Sequence, residues 1–563
     1  MQLTGAQILI ECLMEQGVDT IFGYPGGTVI NIYDALYDYR DKIRHYRTSH
    51  EQGATHAADG YARSTGKTGV CIATSGPGAT NTVTGIATAY MDSVPLVVIT
   101  GNVPLPLLGK DSFQEVDIVG VTMPVTKHNY IVKDVTRLAE TVRRAFQIAN
   151  EGRPGPVLVD IPKDVSVAMA EYTKETPKPL EKQNDLPTDA LENALRLLNQ
   201  SQKPFILTGG GVIRADAGEE AREFVQRMQS PFASTLMGLG GVNTGHPLFT
   251  GMIGMHGSKA SNMASSSCDL LIAVGSRFSD RVISNVKEFA PAADVLHIDV
   301  DPAEINKNVK AVHHLAGDLK LTLKKLNDAL AETAGQHPAE ARENWGLQVQ
   351  EWKDRFPLAT NQNGKIKPHT VIRKLSELTS GKSIITTEVG QSQIWAGQYY
   401  THTEPRTFIT SGGLGTMGFG MGASLGACIG RPDKKVINVA GDGSFLMNCN
   451  EMATAVTYQL PVLIVLLDNQ SLGMVRQWQD LFFDRRFSET DNDRKTDYVK
   501  LAEAFGAKGY RLDKLEDVEP VLKEALAQKG PVLIHCPIDS DDKVFPMVPP
   551  GAAIRDLITE ETL

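Results

Sequence analysis

The segment GDGSFLMNCNEMATAVTYQLPVLIVLLDN, residues 441–469, carries small oxygen ligands at both ends. Asp442 sits between Gly441 and Gly443 after the strand-like run KVINVA; NEMATAVTYQ has the length of a crossover helix; PVLIVLL returns as a strand ending in Asp468 and Asn469. A right-handed crossover makes the two strands parallel and brings their carboxyl ends to one sheet edge, where α/β folds bind ligands. A carboxylate and an amide oxygen, without histidine or thiolate, suit a hard cation such as magnesium or calcium, which takes further ligands from water and phosphate. The flanking glycines let backbone amides approach that phosphate. Two other glycine-rich stretches are weaker signals. GGLGTMG contains the G-x-G-x-x-G spacing of a dinucleotide loop at Gly413, Gly415 and Gly418, and GYARSTGKT misses the P-loop, with five residues rather than four between Gly60 and Gly66.

The elements that must hold these residues are α/β units. Short apolar runs such as VCIAT, PLVVIT, DLLIAVG and KVINVAG alternate with helix-length amphipathic segments, which predicts three doubly wound parallel-sheet domains. Polar stretches at 171–189 and at about 331–367, the second with a surface helix around ARENWGLQVQEWKDRF, divide the chain into units at 1–172, 188–330 and 366–540 with a tail at 541–563. Slid against itself by 366 residues, the sequence places Ala57 on Ala423, Gly60 on Gly426, Val70 on Val436 and Pro95 on Pro461, so the first and third units read as two copies of one fold. In that register Asp442 faces Gly76 and Glu51 faces Met417: the copies differ at their polar ends.

Composition limits the alternatives. A chain of 563 residues is too long for one core. A net charge of -10 without a basic cluster excludes nucleic acid as the expected partner. The longest apolar run, LPVLIVLL, is too short to span a membrane, and the amino terminus carries acids in place of a basic leader, which predicts a cytoplasmic protein. Six cysteines with no close pair read as reduced core thiols.

The GDG, 24 intervening residues and terminal Asn resemble the thiamine-diphosphate motif, which implies Asp442, Asn469 and the Ser471 carbonyl as ligands of Mg2+. The first residue of the terminal pair is usually Asn and here is Asp468. That cofactor needs a carboxyl group beside its pyrimidine so that the ring can act as base, and SHEQGATHAADGYAR supplies Glu51 in the family's context. Further stretches, including GYPGG, SGPGATN, SFQEVD, GRPGPVLVDIPKDV, GMIGMHG, GSRFSDR, GMVRQWQ and FPMVPPGA, resemble the acetohydroxyacid synthase (acetolactate synthase) catalytic subunits from about Thr4 to Ala552.

The resemblance implies decarboxylation of pyruvate and transfer of the two-carbon unit to pyruvate or 2-oxobutyrate, in branched-chain amino acid synthesis. It implies a homodimer or tetramer with sites between chains, and a possible small regulatory subunit. By position it assigns Glu51, Gly27, Gln114 and Lys163 to catalysis, and Arg281, Trp478, Phe113, Met474 and Val475 to substrate, with the Arg281 guanidinium suited to a carboxylate. It assigns Val389, Gly390, Gln391, Ser392, Gly415, Met417, Gly441, Asp442, Gly443, Ser444, Asn469, Ser471, Gly473 and Met474 to thiamine diphosphate. The middle unit is similar to an FAD-binding domain. Its implied contacts are Arg153, Gly209, Gly210, Gly211, Thr235, Leu236, Met237, Met255, His256, Gly275, Arg277, Asp280, Arg281, Asp299, Val300, Gly317 and Asp318. Two positions depart from the pattern: Ser279 where RFDDR is frequent, and Ser392 where histidine is common. Two relatives remain as alternatives, a pyruvate oxidase-like enzyme and an FAD-free catabolic synthase.

Overall fold

A computed structural model describes residues 1–180, 186–333, 335–360, 364–492 and 494–560. Parts of both expected linkers (181–185, 334 and 361–363) and the last three residues of the tail lie outside the described residues.

The chain forms three six-stranded sheets, all parallel. Their strands are near-continuous apolar runs because helices cover both faces; Val97, Val98 and Ile99 are fully buried, as are Val462, Leu463 and Ile464. In the first sheet the spatial order is Arg44–Arg47, Thr20–Gly23, Gly69–Ala73, Leu96–Asn102, Pro156–Pro162, His128–Ile131. In the third it is Phe408–Ile409, Ile384–Thr387, Val436–Gly441, Val462–Asp468, Val532–Pro537, Lys508–Arg511. Numbered along the chain within each sheet, both run 2-1-3-4-6-5, so the repeat expected from the sequence is a repeat of topology. The middle sheet, built on Pro204–Thr208, Phe232–Ser234, Phe249–Met252, Leu270–Val274, Asp294–Asp299 and His313–Ala316, runs 3-2-1-4-5-6, the dinucleotide-binding order.

The two copies meet through equivalent helices, Glu51–Thr65 and Phe419–Gly430. Small residues bring the backbones together. A Cβ built on Gly60 would lie 2.1 Å from the Ala423 carbonyl oxygen, and one on Gly426 would lie 1.8 Å from that of Ala57. These two contacts exchange under the 366-residue shift, and Gly422 meets its own counterpart, His56, on the pseudo-two-fold axis.

The second polar connector and the tail both pack into the fold. The helix Ala339–Arg355, expected on the surface, buries Arg342, Trp345 and Val349. The Arg342 guanidinium donates to the Leu198, Ser201 and Met228 carbonyls, and Trp345 Nε1 donates to Pro204 O at 2.9 Å. The tail buries Val544, Met547, Val548 and Ile554, and Asn262 donates to Ile554 O at 2.8 Å. The six cysteines are unpaired and all but Cys449 are buried. Among the described residues, no helix is long and apolar enough to cross a membrane.

Candidate active site

Gly441 pairs in register with Leu467, so the strands Val436–Gly441 and Val462–Asp468 deliver Asp442 and Asn469 to the same carboxyl edge. Asp442 is only 1% exposed and, among the described residues, forms no ion pair; its Oδ2 accepts from Asn492 Nδ2 at 2.5 Å. Burial, reinforced by the charge of Asp468, pushes its carboxyl up to about 6. A divalent cation would relieve that cost, and oxygen donors are close at hand. Among the described residues no group of three His, Cys, Asp or Glu side chains converges here; the set that the family resemblance implies has one carboxylate, an amide and a backbone carbonyl.

The two members of the Asp468–Asn469 pair do different work. Asp468 is fully engaged in the fold: Oδ1 accepts from Gln470 N–H at 3.0 Å and Oδ2 pairs with His535 Nε2 at 2.8 Å. Asn469 instead points its amide nitrogen at Gln391 Oε1, 2.9 Å away, and Gln391 Nε2 donates to Gln477 Oε1 at 3.0 Å. This chain of amides orients Asn469, while its Oδ1 accepts from Ser471 N–H at 3.2 Å. Gly473 is required beneath it, since a Cβ there would lie 2.0 Å from Gln391 Oε1. Among the described residues the buried hydroxyls of Ser392 and Ser471 have no hydrogen-bond partner, which is the condition of groups able to take a polar ligand. Gly390, at φ +138°, has open space where a Cβ would project. These features fit a diphosphate and its metal.

A second cluster occupies the carboxyl edge of the first sheet. Glu51 is the first residue of its helix, capped by His50, and its Oε2 accepts from Asn81 Nδ2 at 3.0 Å. Gly78 leaves room for it: a Cβ there would be 3.2 Å from Glu51 Oε1. The same turn touches Gln114, whose backbone would lie 2.8 Å from a Cβ on Gly76. Gly27 precedes Thr28, whose hydroxyl bonds Thr74 at 2.9 Å, and Lys163 follows the strand Pro156–Pro162. Phe113 beside them is 88% exposed. Among the described residues no hydrogen bond or ion pair joins this cluster to Asp442 or Asn469.

Between the units lies a cavity of about 1200 Å3. All the expected flavin contacts line it except Gly209 and Gly317, and so do Val389, Gly390, Gly415, Met474 and Trp478; Phe113, Gln114 and Lys163 do not. Gly209 lies beneath the lining, where a Cβ would be 2.1 Å from Gly275 O. Arg153, expected to offer charge, is already held by Glu304 at 2.6 Å and Asp301 at 3.6 Å. Arg214 and Arg277 form no ion pair among the described residues, although Arg214 donates to the Asp92 and Ser93 carbonyls, and burial draws both below the usual range, Arg214 to about 9. An anionic diphosphate would compensate them. Arg281 donates to Met255 Sδ at 3.1 Å at the mouth, and Trp478 stacks edge-on with Phe482 on the helix Gly473–Phe482.

Residues 3–121, 191–326 and 388–536 match, respectively, the N-terminal TPP binding domain, the central domain and the C-terminal TPP binding domain of thiamine pyrophosphate enzymes. The chain is 46% identical over 557 residues to the acetolactate synthase isozyme 2 large subunit of Escherichia coli (strain K12), covering 99% of each protein. It is 44% identical to the probable acetolactate synthase large subunit of Methanocaldococcus jannaschii, covering 99% of this chain and 95% of that one. With the mitochondrial acetolactate synthase catalytic subunit of Saccharomyces cerevisiae it shares 42% over 99% of this chain and 84% of that one. The chain belongs to the acetolactate synthase large-subunit family. The sequence motifs singled out Glu51, Asp442 and Asn469 but not the side chains that contact them. Asn81 and Gln477 lie within the stretches SGPGATN and GMVRQWQ without being singled out by them, whereas Asn492 and Arg214 lie outside every such stretch, and only the fold brings them to the edges they serve.

Proposed function

We propose that this chain is the catalytic subunit that condenses pyruvate with a second 2-oxoacid, pyruvate or 2-oxobutyrate, releasing carbon dioxide and forming 2-acetolactate or 2-aceto-2-hydroxybutyrate for branched-chain amino acid synthesis. The observation that carries this reading is the pairing of a buried Asp442, held in no ion pair among the described residues, with Asn469 at one sheet edge, within a chain similar along its whole length to acetolactate synthases.

Bound thiamine diphosphate supplies an acidic thiazolium carbon and a pyrimidine able to deprotonate it. The chain's own residues do the rest. Asp442, Asn469 and the Ser471 carbonyl would hold Mg2+ against the diphosphate, with the Ser392 hydroxyl and the Gly443 amide available to its oxygens, while the Ser444 hydroxyl, donated to Glu388, holds the turn beside them. Glu51 shares a proton with the pyrimidine nitrogen opposite its amino group, and Asn81 fixes one of its oxygens for that task. Arg281 meets the carboxylate of the second oxoacid, and Trp478, Met474 and Val475 form the apolar wall that distinguishes its alkyl group. Gly210, Gly211, Arg214 and Arg277 in the lining of the 1200 Å3 cavity would hold the diphosphate of FAD.

The half-sites at Glu51 and Asp442 are completed by a second copy of the chain. The exposure of Phe113, Met123 and Val121 on the first unit supports a dimer or tetramer. The large-subunit relatives support a small regulatory partner. Buried unpaired thiols support a reducing, cytoplasmic setting. We assign 1–172 to the pyrimidine-binding unit, 188–330 to the flavin-binding unit, 366–540 to the diphosphate-binding unit and 541–563 to the tail.

Product analysis tests the reading. Purified protein supplied with pyruvate, 2-oxobutyrate, thiamine diphosphate, Mg2+ and FAD should yield both acetohydroxyacids. Stoichiometric bleaching of the flavin under anaerobic conditions without acetolactate would assign the chain to the oxidases instead.

A further inference from the structure

Glu388 follows the strand Ile384–Thr387, is completely buried, and forms no ion pair among the described residues. Donors from two distant segments satisfy its carboxylate. Oε2 accepts from Gly418 N–H at 3.0 Å and from the Ser444 hydroxyl at 2.6 Å; Oε1 accepts from Met421 N–H at 2.9 Å. Asn448 reinforces the junction by donating to Gly418 O at 2.8 Å. Glu388 therefore ties together three stretches that matter to the cofactor: Val389–Ser392, which it precedes, the turn Gly415–Gly418, and the turn Asp442–Ser444.

An acceptor-only group is needed at this junction. Two backbone N–H groups and a hydroxyl converge there, and an amide side chain would set its own N–H2 against one of them. The cost is real, since burial without a cation raises the carboxyl above its ordinary range. The first unit does not bear that cost. Its equivalent strand Thr20–Gly23 is followed by Tyr24, which is 40% exposed, and its carboxyl edge carries no counterpart of Asp442.

We propose that Glu388 is a positioning residue for thiamine diphosphate, fixing the separation between the Gly415–Gly418 turn and the Asp442–Ser444 turn so that both reach one cofactor molecule. The proposal rests on the functional reading above. Its test is direct titration of the full-length protein with thiamine diphosphate at saturating Mg2+, followed by intrinsic tryptophan fluorescence, for wild type, Glu388→Gln, Ser444→Ala and the double variant, with Leu522→Ala as a control for plain loss of core packing.

Glu388→Gln should weaken cofactor binding by about tenfold, the worth of one charge-assisted hydrogen bond. Leu522→Ala should lower the thermal midpoint without moving that affinity. The double variant should bind no more weakly than the poorer single one, because Glu388 acts through Ser444. Unchanged affinity in Glu388→Gln, or full additivity with Ser444→Ala, would overturn the role. Should the Gln variant not fold, Glu388→Asp, which keeps the charge and withdraws it by one methylene, should weaken binding in the same way, and unchanged affinity there would overturn the role equally. A wild-type protein that does not bind thiamine diphosphate would instead overturn the functional reading.

Discussion

The first and third units share a strand order and meet through equivalent helices, yet their carboxyl edges have been given opposite tasks. The third presents the buried pair Asp442 and Asn469, to which we assign metal and diphosphate; the first, with Gly76 at the position of Asp442, presents Glu51, to which we assign the proton-handling role. The same divergence runs through a deeper pair. Asn102 and Asp468 are equivalent, and each faces a polar residue on the next strand: Asn102 Nδ2 donates to Asp160 Oδ2 at 2.6 Å, whereas Asp468 Oδ2 pairs with His535 Nε2 at 2.8 Å. The two copies thus share a scaffold and differ at their polar ends, and on the proposed assignment neither copy holds a whole site.

The strongest way to break this comparison is to disable each edge in turn. Glu51→Gln should lower turnover by at least about a hundredfold while thiamine diphosphate still binds. Asp442→Asn should lose activity through failure to bind the cofactor with Mg2+, so that a titration rather than a rate separates the two. Equal cofactor affinity in both variants would contradict the division of tasks.

Next in size is the contact on the pseudo-two-fold. Gly60→Ala and Gly426→Ala each drive a methyl group into a carbonyl oxygen of the facing helix, and should destabilise the chain by about 2–5 kcal/mol apiece in thermal or denaturant unfolding. Because the two positions are equivalent, the penalties should be similar. A large penalty at one and none at the other would show that the helices are not symmetry-related in solution.

The smallest effect concerns Asp160, which burial pushes up to about 7 from an ordinary value of 3.8, even though Thr100 and Asn102 donate to it. With the folded value above the unfolded one, its favourable contribution is complete below about pH 4 and is lost as the pH rises through 7. Wild-type protein should therefore lose about 2 kcal/mol more than Asp160→Asn between pH 5 and pH 8, read as a difference in unfolding midpoints. Parallel pH profiles would show that Asp160 contributes nothing to the pH dependence of stability.

Much of this was legible in the sequence. Continuous apolar runs marked the buried parallel strands, and the 366-residue shift found the duplicated fold because the helix contact needs Gly and Ala at fixed positions in both copies. The GDG and Asn469 spacing placed Asp442 and Asn469 at one sheet edge because one crossover sets their separation. What the sequence could not show is what only packing decides. Trp345 and Arg342 sit in a polar helix that reads as solvated, yet they reach backbone carbonyls of the middle unit. Asp468 was distinguishable from Asn469 by motif alone, while the reason, a buried histidine 67 residues away, needed the sheet register.

Mixing the two inactive variants tests the central claim most directly. If each site joins Glu51 of one chain to Asp442 of another, co-refolded Glu51→Gln and Asp442→Asn chains form mixed dimers with one intact site. Activity should then return to roughly a quarter of wild type at equal mixing, the statistical yield for a two-fold dimer. A mixture as inactive as its components would contradict the account, placing both halves of the site within a single chain.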